Sequence, residues 1–382
     1  MADATGRYRL APEDVEPLLE GLTIVGTGGG GSPAFGREIL ANDLRRGRAI
    51  DLVDPDAVAD DATVVSGGYM GSTKVLDRLG FAELVAGWED RFELFEVTRV
   101  MEGLLGRRVD HLVPFEVGAL NTPVVLSAAA RLGIATVDGD GLGRSAPETQ
   151  MSSFIGHGIS LTPMPLVDRA GNVLIVQRAT DPTYPDQIGR RALGLGGHLG
   201  ANNHYPMTGR QLKEAVIPRT ITGALALGRA LARARATGDE PAAVVARHLG
   251  GRQVFTGRVA RLTESEDEGF YATTAELEAE GEAGAARLTI QNETMLLTLD
   301  GALAAVFPDL VVMLDPTSGR GILSTELAEG TAVALVAAPC HARLRRALAS
   351  AAGRAAFSPA TFGRPDVAYR PLEELLSGAG RW

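Results

Sequence analysis

Strand-like runs alternate with helical stretches through the first 165 residues, and this alternation restricts the possible folds more than any other feature. The strand-like runs are Leu22–Val25, Thr63–Ser66, His111–Pro114 and Ala135–Val137. The helical stretches are Ala11–Leu19, about 34–46, Lys74–Gly80, Phe92–Leu105 and Thr122–Leu132. Such alternation predicts an α/β domain with a largely parallel sheet and helices on its faces.

The pattern changes after residue 165. Leu166–Gln177 predicts a hairpin that turns at Gly171–Asn172, and Ile221–Arg235 predicts a good helix within a helical segment near 187–236. Beyond Gly250 the pattern is that of strands, with runs at 253–262, 287–291, 295–299, 310–314 and 332–337. Because 382 residues exceed one typical core, we expect an α/β domain over 1–165 and a β-rich domain with flanking helices over 166–382.

Charge and cysteine content exclude several classes of protein. The net charge of −10 argues against a nucleic-acid partner, because nothing would offset phosphate repulsion. The only cysteine is Cys340, so neither an intrachain disulfide nor a multi-cysteine zinc site is possible. The first residues lack an apolar signal-peptide region, and no run of about 18 apolar residues occurs. We therefore expect a cytoplasmic protein with no membrane partner. We also expect it to form a homo-oligomer.

Two glycine-rich turns follow predicted strands. The first, GTGGGGSP, contains Gly28, Gly29, Gly30 and Gly31, and the second, SGGYMGS, contains Gly67 and Gly68. Backbone N–H groups at such turns suit a phosphate or a carboxylate, and the turns would meet at one sheet edge. The alternative is a turn that only lets a strand and a helix pack closely. Neither dinucleotide nor P-loop spacing is present, so we expect no nucleotide cofactor.

The densest polar cluster is VDGDGLGRSAPETQM, at Val137–Met151. Asp138, Asp140 and Glu148 could activate water as acid and base, or hold a divalent metal. Arg144 could bind a substrate carboxylate. The competing interpretation is an Asp–Gly turn with an Arg–Glu surface pair.

Histidines supply further candidates. His198 and His204 lie in the predicted loop GGHLGANNHYP, where both could bind one Zn²⁺ or Mn²⁺ together with Asp138 or Asp140. Solvated loop histidines are the alternative. His157 follows the acidic cluster and is a candidate general base.

Two adjacent pairs of polar residues also need an interpretation. Asn292 and Glu293 sit between two predicted strands, where they either carry an amide and a carboxylate into the cleft or form a turn. Cys340–His341 is better explained structurally than as a catalytic dyad, because neighbours on a strand point to opposite faces.

Several segments together resemble the S-methyl thiohydantoin desulfurase family. The first three are GTGGGGSP, FEVGALNTPVV (Phe115–Val125) and the acidic cluster; the later ones are Ala215–Ala230, Ile290–Thr294, Phe307–Asp315 and Pro359–Pro371. The resemblance covers nearly the whole chain in order. It implies a Rossmann-like first domain, a β-rich second domain and action on hydantoin-like rings. The stretch around His198 and His204 departs from the family pattern, where small apolar residues are usual.

The resemblance supports two hypotheses. In the first, the chain hydrolyses an S-methyl thiohydantoin and releases methanethiol, with Asp138, Asp140 and Glu148 activating water or binding metal. In the second, it is a non-catalytic ligand-binding or assembly partner of a hydantoinase- or oxoprolinase-type enzyme, with which the family is associated. The sequence favours the enzyme, because a partner subunit need not concentrate three acids and an arginine at a strand end.

Overall fold

The computed structural model describes residues 6–71, 80–267, 270–279 and 284–377. The helix predicted at Lys74–Gly80 therefore lies, except for Gly80, outside the described residues. None of the described helices combines the length and the apolar content needed to cross a membrane.

Helices and strands alternate at first and give way to strands later. The helices are α1 (Val15–Val25), α2 (Pro33–Arg45), α3 (Phe81–Gly87), α4 (Glu93–Leu105), α5 (Asn121–Leu132), α6 (Ser153–Gly156), α7 (Tyr184–Leu195), α8 (Gly209–Ala215), α9 (Thr220–Thr237), α10 (Pro241–Leu249), α11 (Ala342–Leu348), α12 (Ala351–Ala356) and α13 (Leu372–Ser377). The strands are β1 (Arg7–Arg9), β2 (Asp51–Val53), β3 (Thr63–Gly71), β4 (His111–Pro114), β5 (Ala135–Val137), β6 (Gly139–Asp140), β7 (Met164–Asp168), β8 (Val173–Val176), β9 (Leu199–Thr208), β10 (Ile217–Pro218), β11 (Arg252–Asp267), β12 (Phe270–Ala279), β13 (Ala285–Gln291), β14 (Glu293–Leu299), β15 (Ala302–Val306), β16 (Leu310–Leu314) and β17 (Ala332–Ala338).

An eight-stranded sheet carries the first part of the chain, in the order β1-β2-β5-β4-β3-β9-β7-β8. The four strands β2, β5, β4 and β3 are parallel, and antiparallel strands extend the sheet on both sides. Parallel strands bring their carboxyl ends to one edge. The segments that follow β3, β4 and β5 therefore lie together, as the alternating pattern predicts.

The second part of the chain forms a seven-stranded antiparallel sheet, in the order β15-β14-β13-β12-β11-β17-β16. Its inner face packs through a continuous apolar cluster that includes Leu288, Leu297 and Leu335. An α/β first part and a β-rich second part with flanking helices confirm the predicted fold class.

The strand predicted at Leu22–Val25 is wrong, because these residues form the last turns of α1. Leu22 and Ile24 are fully buried in a cluster that reaches both α9 and the second sheet. A helix buried on all sides loses its polar stripe, so a short apolar run does not distinguish it from a strand. The glycine loop consequently follows a helix.

The loop predicted around His198 and His204 is also wrong. Residues 199–208 form β9, which pairs with both β3 and β7. Glycine and asparagine disfavour strands in isolation, but pairing on both sides outweighs that preference. The first sheet thus takes β8 and β9 from beyond residue 165, and the predicted boundary falls inside β7.

Two glycines allow α1 and α9 to pack closely. A Cβ on Gly21 would lie 1.8 Å from the carbonyl oxygen of Ala224, and a Cβ on Gly228 would lie 1.8 Å from that of Pro17. Each helix therefore brings its backbone against a glycine of the other. Gly223, on the same α9, has nothing within 4 Å of the position that a Cβ would occupy.

We predict that Gly21→Ala and Gly228→Ala each lower the free energy of unfolding by about 1–3 kcal/mol, because the new methyl group must separate the helices. Gly223→Ala is the matched control and should be neutral or stabilising by up to about 1 kcal/mol, since alanine favours a helix. Urea unfolding of the three variants measures the difference. Equal stability of all three would contradict close packing of α1 on α9.

Candidate functional site

A cavity of about 180 Å³ lies at the carboxyl edge of the first sheet. The first part of the chain lines it with the glycine loop, the end of β3 and the segments after β4 and β6. The second part lines it with the turn between β13 and β14 and with residues 323–325. Both parts of the fold therefore build one site.

The structure brings many of the predicted site residues to this cavity. Those that line it are Gly28, Gly29, Gly30, Gly31, Gly68, Glu148, His204, Asn292 and Glu293. The predicted residues outside its lining are Gly67, Asp138, Asp140, Arg144, His157 and His198. The glycine loop and the end of the acidic cluster thus meet at one sheet edge, and Glu148 alone of the predicted acids in that cluster lines the cavity. The predicted second glycine turn is wrong, because Gly67 and Gly68 lie inside β3, which extends to Gly71.

Glu293 enters the cavity from the second sheet. Asn292 holds a left-handed φ of 58° in the turn before β14, and Ser324 Oγ donates to its carbonyl oxygen at 2.7 Å. Glu293 Oε1 accepts from Gly30 N at 3.3 Å, whereas Oε2 is buried with no hydrogen-bond partner among the described residues. Burial, reinforced by the charge of Glu116, raises the pKa of Glu293 well above its usual range. The shift favours the protonated form of Glu293.

Glu116 is a second buried carboxyl in the cavity, and the sequence analysis missed it. Its Oε1 accepts from Asn121 Nδ2 at 2.9 Å and its Oε2 from Ala146 N at 2.6 Å. Burial raises the pKa of Glu116 to about 7. An indicator was present in the sequence, because FEVGALN places a glutamate two residues after a buried parallel strand, where ligand-binding side chains gather.

The glycine loop joins these two carboxyls. Besides donating to Glu293, Gly30 accepts from Leu120 N at 2.8 Å. With its left-handed φ of 74°, a Cβ on Gly30 would lie 2.4 Å from Ser145 Oγ and 2.7 Å from Gly118 Cα. Only glycine fits such an approach. The loop therefore sets the position of Glu293 relative to the segment that carries Glu116.

Asp138 and Asp140 bind backbone outside the cavity. Asp138 accepts from Thr222 N at 3.0 Å and from Thr222 Oγ1 at 2.5 Å, near the start of α9. Asp140 accepts from Leu142 N at 3.0 Å and Gly143 N at 2.8 Å, and burial raises its pKa to about 7. Both side chains hold the acidic cluster in its bent conformation.

Arg144 is fully buried and does not reach the cavity. Its guanidinium donates to the carbonyl oxygens of Ser145 at 3.0 Å, Thr294 at 2.8 Å and Asp309 at 2.8 Å, and lies 4.8 Å above the Phe307 ring. Burial lowers the pKa of Arg144 to about 10, which leaves it charged at neutral pH. In this structure Arg144 ties the first part of the chain to the second sheet.

The histidines are separated. His157 Nδ1 lies 2.9 Å from the carbonyl oxygen of Ser153, away from the cavity. His198 lines a second cavity of about 740 Å³, which shares Gly71, Glu148 and Arg190 with the first. His204 lies in the first cavity. Across the described ranges, no three His, Cys, Asp or Glu side chains are grouped so as to hold a metal ion.

The remaining acid of the predicted cluster joins the two cavities. Glu148 Oε2 accepts from Gln150 Nε2 at 2.6 Å, and burial raises the pKa of Glu148. Arg190, beside it, donates to Asp186 at 2.6 Å and to the carbonyl oxygen of Pro147 at 2.5 Å. Glu148 therefore stands at the boundary of the small cavity and the larger one.

Cys340 and His341 do not form a dyad. Burial raises the pKa of Cys340 to about 12, so its thiol stays protonated, and its sulfur lies 3.8 Å from Tyr369 Oη. His341 Nδ1 accepts from Arg343 N at 3.1 Å and caps α11. Both residues have structural contacts that account for them.

A crystal structure of a protein from Chromobacterium violaceum has the same fold. It aligns with a TM-score of 0.76 and 24% sequence identity, over 96% of this chain and 100% of that chain. A comparison with proteins of curated function gives no significant match.

Two family models match the chain. The S-Me-THD-like N-terminal domain matches residues 13–178, and the S-Me-THD-like C-terminal domain matches residues 180–372. Together they span nearly all of the sequence, in the order that the resemblance to S-methyl thiohydantoin desulfurases predicts. The chain therefore belongs to the S-Me-THD-like family.

Proposed function

We propose that this chain is a hydrolase that removes methanethiol from an S-methylated thiohydantoin ring, with Glu116 and Glu293 as its base and acid. The observation that carries the proposal is the pairing of these two carboxyls. They come from the two parts of the fold, line one small cavity and both have raised pKa values. Glu116 accepts two hydrogen bonds, which favour its charged form and suit a base, whereas Glu293 accepts one and suits an acid. Family membership supports the ring substrate.

The proposed reaction balances without a cofactor. Glu116, as a carboxylate, takes a proton from water while the water oxygen attacks the ring carbon that bears sulfur. The carbon–sulfur bond then breaks, and the protonated Glu293 supplies the proton that the leaving methanethiolate takes. The products are a hydantoin-like ring and methanethiol. The next turnover then requires a proton to pass from Glu116 back to Glu293.

Cavity size supports a small ring at the reacting position. About 180 Å³ is below the range of roughly 300–1,000 Å³ that drug-sized ligands occupy. The larger cavity begins at Glu148 and Arg190, so a substituent on the ring would extend into it. Arg191 lines that cavity and is exposed to solvent. The guanidinium of Arg191 would attract an anionic substituent on the ring.

The other predicted roles change under this proposal. The residues present do not form a metal-binding group within the described ranges, so no step is assigned to Zn²⁺ or Mn²⁺. Asp138, Asp140 and Arg144 act as positioning residues, because each binds backbone that shapes the cavity. Cytoplasmic action and association with a hydantoinase-type enzyme remain parts of the proposal that derive from the sequence.

The first test is thiol release. We expect the purified chain to release a chromogenically detectable thiol from an S-methyl thiohydantoin, and Glu293→Gln to lower the rate at least about 100-fold. The melting temperature should barely change, because glutamine keeps the size of Glu293 and the raised pKa of Glu293 already favours its uncharged form. Glu374→Gln, at an exposed position, is the control and should keep full activity. Absence of thiol from a panel of S-methylated rings would refute the hydrolase and favour the binding-partner hypothesis.

The pH dependence of kcat/KM tests the role of Glu116. A base must be ionised, and burial raises the pKa of Glu116 to about 7, so kcat/KM should rise with pH through about 7 and be lost as pH falls below it. Glu116→Gln should remove activity at every pH. Glu148→Gln changes another acid of the same cavity and should leave the rising limb in place. A limb that disappears in Glu148→Gln would transfer the base role to Glu148.

The last test concerns the second cavity. Arg191→Ala should raise the KM for a ring with a carboxylate side chain about tenfold, and leave the KM for the corresponding amide unchanged, because only the charged arm gains from the guanidinium. Arg233→Ala, at an exposed position of α9, serves as the control. Steady-state kinetics on both substrates provide the measurement. Equal effects on acid and amide would place the substituent elsewhere.

A further inference from the structure

His204 stands at the floor of the small cavity, on β9. It pairs directly with Ser66 of β3, and Asn202 of β9 pairs with Gly68. Side chains alternate along a strand, so His204 and Asn202 share the face that lines the cavity. Beside His204, the β3–β9 register shifts by one residue, and Tyr205 has a left-handed φ of 49°. Such bulges re-aim side chains next to functional sites.

The imidazole of His204 is buried without the partners that buried polar groups normally have. The residue is 1% exposed, and Nδ1 has no hydrogen-bond partner in the described part of the chain. The rings of Phe115 and Tyr205 lie nearly perpendicular to it, with centroids 5.6 and 5.1 Å away. Burial lowers the pKa of His204 to about 3, so the ring is uncharged at neutral pH. An unpaired polar group in a cavity wall calls for an explanation.

The buried environment selects one tautomer of this ring. A neutral imidazole carries one N–H and one acceptor nitrogen. An orphaned buried acceptor occurs more readily than an orphaned N–H, so the unpartnered Nδ1 takes the acceptor form. The proton then sits on Nε2, which is the nitrogen left to meet a ligand in the cavity.

We propose that His204 binds the substrate as a neutral hydrogen-bond donor, with Nε2–H directed at a carbonyl oxygen of the heterocyclic ring. This inference rests on the proposed function and adds the group that orients the ring between the two carboxyls. A carbonyl oxygen needs a hydrogen-bond donor, and the ionised Glu116 in the same cavity offers only acceptor oxygens. The neutral imidazole of His204 can supply that donor.

The assignment defines the chemical class of ligand. A ring that presents a carbonyl oxygen completes the hydrogen bond of His204, whereas an analogue without that oxygen leaves a buried donor unpaired. Sites built to bind a polar group reject analogues that lack it, because the desolvated partner stays unsatisfied. The cavity should therefore favour hydantoin-like rings over otherwise similar rings with one carbonyl fewer.

Calorimetric binding of hydantoin, imidazolidin-2-one and imidazolidin-4-one tests the inference without requiring turnover. Against the wild-type chain we compare His204→Gln, His204→Asn and His204→Phe. A glutamine amide nitrogen can replace Nε2, whereas an asparagine amide nitrogen comes closer to the position of Nδ1. We expect His204→Gln to bind hydantoin within about twofold of wild type, and His204→Asn and His204→Phe to bind it about tenfold more weakly. Melting temperatures identify any variant that does not fold.

The ligand series provides a readout that a purely structural role would not change. The wild-type chain should prefer hydantoin over one of the two single-carbonyl rings by about tenfold, and His204→Phe should lose that preference. Retention of the preference in His204→Phe would overturn the role of His204 and leave the hydrolase proposal intact. Failure of the wild-type chain to bind any of the three rings would overturn the role of His204, whereas the thiol-release assay tests the hydrolase separately. Wild-type affinity in His204→Asn but not in His204→Gln would reject the Nε2–H tautomer.

Discussion

The buried guanidinium of Arg144 is the interaction on which the rest of the site depends. Arg144 belongs to the acidic cluster of the first part of the chain. Its guanidinium donates to the carbonyl oxygens of Thr294, in β14, and of Asp309, between β15 and β16. A buried cation is costly unless it is hydrogen-bonded and near negative charge. Its hydrogen bonds are satisfied by carbonyl oxygens, and the carboxylates of Asp309 and Glu116 supply negative charge nearby. The same buried side chain therefore joins the first part of the chain to the second sheet and lies close to the buried acids.

The sequence predicted the fold class where local pattern and tertiary packing agree. Helices such as α5, which begins after β4 and ends at Gly133 with a left-handed φ of 71°, have their periodicity and their stop residue in the sequence. Two errors, at 22–25 and 199–208, arise where packing overrides local preference. Leu22–Val25 is apolar because its helix is enclosed, and Leu199–Thr208 is a strand because neighbours pair with it on both sides. Neither the enclosure of the helix nor the pairing of the strand can be predicted from the residues of the segment alone.

The sequence predicts part of the lining of the cavity, and it misses Glu116 for a related reason. The glycine loop at 28–31 and the Asn292–Glu293 turn can be recognised from residue type and spacing, and they do line the cavity. The acidic cluster is dense in carboxyls, yet Asp138 and Asp140 accept hydrogen bonds from backbone N–H groups outside the cavity. Glu116, a lone acid in an apolar motif, lines the cavity instead. The path of the backbone after each strand decides which acid faces the cavity, and a single sequence does not show that path.

The unsatisfied groups of the cavity fit a single physical argument. Glu293 Oε2 and His204 Nδ1 are buried without protein partners among the described residues, on opposite parts of the fold. Folding alone would favour apolar side chains at both positions, since an unpaired buried polar atom lowers stability. The backbone of Gly29 and Gly30 nonetheless packs closely around Glu293. A Cβ on Gly29 would lie 1.9 Å from Glu293 Oε1, so a larger residue at position 29 would displace the carboxyl. A backbone shaped so closely around an unfavourable carboxyl is explained by a ligand that uses it.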